Sequence, residues 1–348
     1  MSSIKLKHSG GNGVLISAPD TNPTADRTVK LPSIDADGVI TTKDSNNSLQ
    51  SVAGVNGSST SHRNILINGD LNIWQRWTST TTSGEYQADR FWGAGTGLTY
   101  ARSTDAPDGF QYSAKLTHGG NDLAIGQPVE LFGTGDSGLF VAGEKCTLSF
   151  YAKVDSGTES INSLVNFRNS KFSSTNNVSF AAVGSPANTL TTSWARYSTT
   201  FTIPVVNANN IMAAMEIANI SKTAYFTGFQ LELGDTATAF EYKTRAEQLT
   251  CCQRYFYKCQ DRMLGFTINA SDFYNPRLDH PQKMRSSPTL SNGSFVTHSG
   301  NNGSPAIGHT IFVGGDGTLS VAIHNSANNW STTAWCKFTG DISAELWA

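Results

Sequence analysis

Across residues 98–242, apolar and polar positions alternate in short runs broken by polar turns, the period of half-buried strands rather than helices. Eight runs carry the pattern: 98–103, 112–118, 124–132, 145–154, 163–168, 194–203, 210–218 and 222–234. Strands at this spacing predict a β-sandwich of jelly-roll type. In the last run Tyr225, Thr227, Phe229, Leu231 and Leu233 fall on one side, and Phe226, Gly228, Gln230 and Glu232 on the other. Unbroken alternation puts the first set on one buried face. Gly234 and Asp235 interrupt it, and 239–242 reads as a short closing strand. Thr244-Arg-Ala-Glu247 then has the form of a capping box, in which hydroxyl and carboxylate each satisfy an orphan N–H. Leu249, Cys252, Phe256 and Cys259 follow at helical intervals, which predicts a linking helix over 244–258.

The two ends read differently. Short β-type runs at 4–7, 13–17, 28–31 and 38–42 are separated by Gly, Pro, Asp and Asn. Each is too short to bury a face alone, so this region gains order only against another chain or stays a disordered leader. Residues 45–61 have the Ser, Asn and Gly content of a linker. Beyond the helix, candidate strands lie at 263–269, 289–291, 294–298, 309–313, 318–325 and 335–348, punctuated by Asn292-Gly293, Asn302-Gly303 and residues 314–317. The expected fold is all-β in four parts. These are an extended N-terminal segment with its linker (1–62), a jelly-roll-like sandwich (63–243), a short linking helix (244–258) and a small C-terminal β domain (259–348).

Composition narrows the functional classes. At 348 residues the chain exceeds one ordinary domain. Charged residues make up 15% and the formal net charge is -2, which gives no electrostatic reason to expect nucleic acid or an anionic membrane as partner. The N-terminus lacks the apolar core of a signal peptide, and no stretch is long and apolar enough to span a bilayer. Five cysteines, Cys146, Cys251, Cys252, Cys259 and Cys336, form neither a disulfide framework nor zinc-like spacing. They read as small buried hydrophobes in a protein made in a reducing cytoplasm.

Three stretches carry a resemblance. Gln230, Leu231, Glu232 and Gly234, then Ala239-Phe240-Glu241, then Cys252-Gln-Arg-Tyr-Phe256, are similar to the junction in bacteriophage tail-fibre and other virion-appendage proteins, marine and cyanobacterial phages especially. Upstream, Asn64, Leu66, Asn68, Gly69, Asp70, Gln75, Arg76 and Ala88-Asp-Arg-Phe-Trp92 resemble the opening of the same module. Downstream, Pro281, Met284, Arg285, Pro288 and Thr289 resemble its next segment, and 28–42 is similar to N-terminal fibre segments. The resemblance implies a homotrimeric virion structural protein, attached to other tail or capsid proteins through Val29, Lys30, Leu31 and Pro32. Small strand-rich end domains with unpaired edges suit such self-association. Residues 145–154 and 193–204 also resemble strands of carbohydrate-binding-module jelly rolls, an analogy of fold.

No catalytic constellation stands out. Seven scattered histidines form no metal pair, there is no nucleophile elbow, and Gly93, Gly95 and Gly97 lack a P-loop lysine. Glu130, Glu144, Asp155, Glu216 and Glu232 are the carboxylates a glycosidase could pair, or are simply solvated. Trp74, Trp77 and Trp92 either stack on sugar rings or fill the core, with core packing the weightier reading. In the C-terminal domain Phe273, Tyr274 and Asn275, and Asn328, Asn329 and Trp330, place aromatics beside amides in turn-like segments. They are expected either to contact host surface polysaccharide or to pack a trimer interface. No cofactor or metal is expected. The reading is a non-enzymatic fibre that adheres to glycan; the alternative is a depolymerase carried on the jelly roll.

Overall fold

The computed structural model describes residues 3–7, 13–17, 63–119, 123–130, 140–168, 178–181, 188–203, 212–266, 277–278, 281–286, 288–299, 308–313, 319–324 and 334–345. Two compact units are distinguished, Met1–Asn56 and Gly57–Ala348. In the first, β1 (Ser3–Lys7) and β2 (Gly13–Ser17) pair antiparallel, with Ser3 opposite Ser17. Val29, Lys30, Leu31 and Pro32 lie outside the described residues, as do the runs at 28–31 and 38–42.

The second unit opens with irregular chain and the short strands β3 (Ser79–Thr80), β4 (Glu85–Tyr86) and β5 (Trp92–Ala94). Then follow β6 (Thr99–Ser103), β7 (Ser113–Thr117), β8 (Leu123–Glu130), β9 (Lys145–Val154) and β10 (Glu159–Arg168). The body continues with β11 (Val178–Ala181), β12 (Asn188–Leu190), β13 (Ala195–Thr202), β14 (Met212–Ile220) and β15 (Ala224–Leu233). From β7 onward the chain changes sheet at almost every connection. One sheet has the order β13-β9-β15-β7-β6-β3; the other has β11-β10-β14-β8-β5-β4, with β12 beside β10. Antiparallel strands alternating between two faces are the jelly-roll arrangement that the sequence pattern predicts. Both sheets contribute to one core: Leu148, Phe150, Phe226, Phe229 and Leu231 from the first meet Ile125, Ile161, Val165, Met215 and Ile217 from the second.

Strand β15 departs from simple alternation. Thr227 lies opposite Tyr151 of β9, but Gln230 lies opposite Ser149, so β15 carries one extra residue at Gly228-Phe229. Gly228 takes φ 62°, and a Cβ there would stand 2.7 Å from the Tyr151 ring. This is a bulge that only glycine accommodates cheaply. The bulge moves Phe226 to the core face with Phe229 and Leu231, and turns Tyr225 and Thr227 outward with Gln230 and Glu232. The expected facing is thus corrected for everything before the bulge. Leu233, at the strand end, is exposed instead of buried.

The capping box forms as expected. In α1 (Arg245–Gln253) the Glu247 N–H donates to the Thr244 hydroxyl, and the Thr244 N–H donates to the Glu247 carboxylate at 2.9 Å. Thr244→Ala is expected to cost about 1 kcal/mol, read as a lower midpoint in chemical denaturation. The helix stops five residues short of the expected 258. Phe256 and Cys259 belong to a strand because the aromatic run 255–257 favours extended chain, and because the last long strand pairs with it.

The remaining strands are β16 (Phe256–Phe266), β17 (Arg277–Leu278), β18 (Thr289–Ser299), β19 (Gly308–Val313), β20 (Leu319–His324) and β21 (Ala334–Ser343). They form two three-stranded sheets, β16-β21-β18 and β17-β20-β19. Asn292-Gly293 is not a turn: β18 runs through it with a register shift between Ser291 and Ser294, a bulge opposite β21. Residues 239–242 are irregular, not a closing strand, and their hydrogen bonds go to side chains instead of a strand partner. Among the described residues, no helix is long and apolar enough to cross a membrane.

Candidate functional site

Many of the polar residues that carry the phage-fibre resemblance lie in buried hydrogen-bond networks near α1. Asn68 has φ 59° and closes a turn, with the Leu71 N–H donating to its carbonyl at 2.9 Å. Its side chain donates to the Ile73 and Asp89 carbonyls and accepts from the Ile73 N–H, while its own N–H donates to Gln248 of the helix at 2.8 Å. Gly69 is dictated by space, since a Cβ would lie 2.1 Å from the Phe229 carbonyl oxygen. Asp89 accepts from the backbone and side chain of Gln75, whose amide also donates to the Phe256 carbonyl. Burial raises the Asp89 carboxyl above its ordinary value.

Two arginines complete this network. Arg90 and Arg76 both ion-pair with Glu345, two residues beyond β21, and the Arg90 and Glu345 side chains are each only 1% exposed. Arg90 lies 3.6 Å over the Tyr255 ring, and Arg76 3.6 Å over the Phe256 ring. Arg285 fixes the same terminus through the Ala344 and Glu345 carbonyls. Arg254 and Tyr255 both donate to Glu130 of β8. On the sandwich side, Gln230 donates to Glu232, the Glu241 N–H donates to Gln230, and the Asn64 N–H donates to Glu241. Buried amides and charges survive only when partnered, which accounts for so many specified polar residues at one junction. The network is the architecture of a joint.

Solvent-facing chemistry lies elsewhere, on the outward side of the sheet containing β9 and β15. Segment 234–243 covers one end of that side: Glu232 accepts from Thr238, Arg196 donates to the Thr238 carbonyl, and Phe240 and Tyr242 pack on Phe110. The other end is partly exposed. There Tyr225 stands between two register partners, Lys153 of β9 and Lys115 of β7. Trp194, just before β13, meets Tyr225 edge-on with ring centroids 6.4 Å apart. The Lys153 ammonium is 5.1 Å from the Tyr225 ring centroid and 5.5 Å from that of Trp194; Lys115 is 5.6 Å from Tyr225.

Asp105, after β6, organises this row. It accepts from Lys153 at 2.6 Å and from the Trp194 indole at 3.0 Å, and its own backbone is held by Ser103 and Ser113. Trp194, Tyr225, Lys153 and Lys115 are half-buried, so each is held in place while part of its surface stays exposed. The hydrogen bond from Lys153 is the largest cause holding the Asp105 carboxyl below its ordinary 3.8. A lowered folded value means that the tether is complete above 3.8 and is lost as pH falls through the lowered value. Trp194 emission is expected to shift in that acid window, read as wild type minus Trp194→Phe, and Asp105→Asn is expected to show the released signal already at neutral pH.

The other residues singled out by sequence fare variously. Trp92 is buried, and Trp74 packs on the core and stacks edge-on with Tyr100. Trp77 is exposed beneath the Lys258 ammonium. Glu130 and Glu216 share a sheet face, but Glu216 lies opposite Gly126, four residues from Glu130, or about 14 Å away at strand rise and spacing. That is wider than a glycosidase pair of about 5–9.5 Å. Glu232 is on the other sheet, and Glu144 and Asp155 flank opposite ends of β9. Among the described residues, no three His, Cys, Asp or Glu side chains gather as a metal site. Cys146, Cys252 and Cys259 are buried as expected, but Cys251 is exposed. Burial pushes the Cys146 thiol up to about 12. Phe273, Tyr274, Asn275, Asn328, Asn329 and Trp330 lie outside the described residues.

No protein-family model matches the sequence. A search of curated proteins likewise gives no match. Solved structures that it resembles include carbohydrate-binding β-sandwich modules and a phage tailspike domain. The enzymatically active domain of tailspike protein 4 from bacteriophage CBA120 is 14% identical over 49% of this chain, with a TM-score of 0.33. This chain spans only 22% of that one. The CBM22-1 xylan-binding domain of Paenibacillus barcinonensis Xyn10C is 14% identical, covering 46% of this chain and 94% of that one at TM-score 0.31. A CBM4 protein is 16% identical, with 48% and 98% covered at TM-score 0.32. The jelly-roll description rests on the strand order above.

Proposed function

We propose that the chain is a virion appendage subunit, a phage fibre whose jelly-roll body presents a glycan-adhesion surface. The observation that carries the adhesion reading is the row Trp194, Lys153, Tyr225 and Lys115, tethered by Asp105 on a partly exposed sheet face. Aromatic faces suit the apolar face of a pyranose, and adjacent ammonium and carboxylate groups suit its hydroxyls. Fixing the side chains beforehand lowers the entropy lost on binding. The virion assignment is supported by the sequence resemblance. On that reading Val29, Lys30, Leu31 and Pro32 attach the N-terminus to other virion proteins. Three copies associate, and Phe273, Tyr274, Asn275, Asn329 and Trp330 add contacts at the distal domain. Several weak sites on one trimer yield avidity that no single site has.

The test uses the purified full chain on host cells bearing surface polysaccharide. Saturable binding that blocks phage adsorption, with no new reducing ends, is the expected result. New reducing ends from the polysaccharide would favour the depolymerase instead, and absence of cell binding would overturn adhesion.

A further inference from the structure

The row on the outward sheet face is not electrically neutral. Two ammonium groups, on Lys153 and Lys115, flank Tyr225 on neighbouring strands, and among the described residues one carboxylate, Asp105, ion-pairs with the row. Lys153 is engaged by Asp105 at 2.6 Å. Lys115 makes no ion pair among the described residues, and its ammonium stays beside the tyrosine ring. Its neighbour on β6 is Ala101, whose small side chain leaves the approach to Lys115 uncrowded on that side.

The two ammonium groups share one carboxylate, so a sugar ring stacked on Tyr225 lies beside a net positive charge. Neutral glycans gain little from it. A ring substituent carrying a carboxylate or sulfate gains a charge-assisted hydrogen bond at that position. The fixed neighbour, Lys153, donates to ring hydroxyls but brings no net charge, because Asp105 cancels it.

We propose that this face selects acidic polysaccharide, with Tyr225 and Trp194 as the stacking platform and Lys115 as the residue that reads the acidic group. The inference rests on the adhesion reading of the same face and adds the ligand's charge class. Anionic selection also implies salt sensitivity, since a partly exposed ion pair is screened over about 8 Å at physiological ionic strength.

Affinity electrophoresis of the full chain separates the two levels, with polygalacturonate, alginate or hyaluronate in the gel, against mixed-linkage β-glucan and dextran. The expected result is stronger retardation by at least one acidic polymer than by either neutral one, weakening as salt rises. Lys115→Gln is expected to weaken acidic retardation about tenfold and neutral retardation by much less, with the unfolding midpoint unchanged. Equal retardation of Lys115→Gln and wild type, or neutral polymers bound as tightly as acidic ones, overturns the charge selection. Wild-type retardation that persists in Tyr225→Ala and in Trp194→Ala overturns the platform itself, and with it the adhesion reading of this face.

Discussion

Replacing Glu345 with alanine is expected to cost about 3–5 kcal/mol of stability, because it leaves two buried guanidinium groups without their counter-charge. The carboxylate is the shared partner of Arg90 and Arg76, and its side chain is almost completely buried. Arg90 has a carbonyl partner in Pro128 and ring contact with Tyr255, but neither neutralises its charge. The backbone at 344–345 is held separately by Arg285, so the substitution removes the charge without releasing the terminus. Glu345→Gln keeps an acceptor and the shape, and is expected to fall between wild type and Glu345→Ala. The more exposed Arg254–Glu130 pair is a contrast: solvent screens it, and Glu130→Gln is expected to cost about 1 kcal/mol or less. Urea denaturation of the three variants, followed by tryptophan emission, gives the ranking.

Phe229→Ala is expected to cost about 3–5 kcal/mol, whereas Tyr225→Ala is expected to cost under about 1 kcal/mol. Unbroken alternation along β15 puts the two residues on the same face and predicts comparable losses. The bulge at Gly228 separates them. Phe229 is fully buried, stacks on Phe150 and Phe226, and meets Phe91 at 4.9 Å. Tyr225 faces outward, with only the lysines and Trp194 as neighbours from the row. Gly228→Ala links the two, since it strains a left-handed residue and presses on Tyr151 and Phe110. Comparable denaturation midpoints for Phe229→Ala and Tyr225→Ala would contradict the placement of the bulge.

What could be read along the chain was local. Strand β9 was legible at both ends because its alternation is unbroken and turns bound it. The Thr244–Glu247 box was legible because all its partners lie within four residues. An isolated glycine inside an alternating run is itself a bulge signal, so Gly228 carried a clue that simple periodicity overrode. Asn292-Gly293 misled in the opposite sense: a common hairpin dipeptide sits mid-strand because pairing with β21 continues on both sides of it. The helix end was misplaced because Phe256 and Cys259 fit a helical stripe, although their partners lie some eighty residues on in β21. The open row was not legible at all. Lys115, Lys153, Trp194 and Tyr225 come from four separate segments, and only the order β13-β9-β15-β7 brings them side by side. Buried polar partners account for the polar residues of the junction: they specify how the C-terminal strands dock on the sandwich.

The most direct test of the account is a calorimetric titration of the intact protein with purified surface polysaccharide from a host strain, run beside the Trp194→Ala/Tyr225→Ala double variant. Measurable heat from the wild type and its loss in a variant that still unfolds cooperatively, within about 2 kcal/mol of the wild type, is the predicted outcome. Equal affinity in both proteins would contradict it.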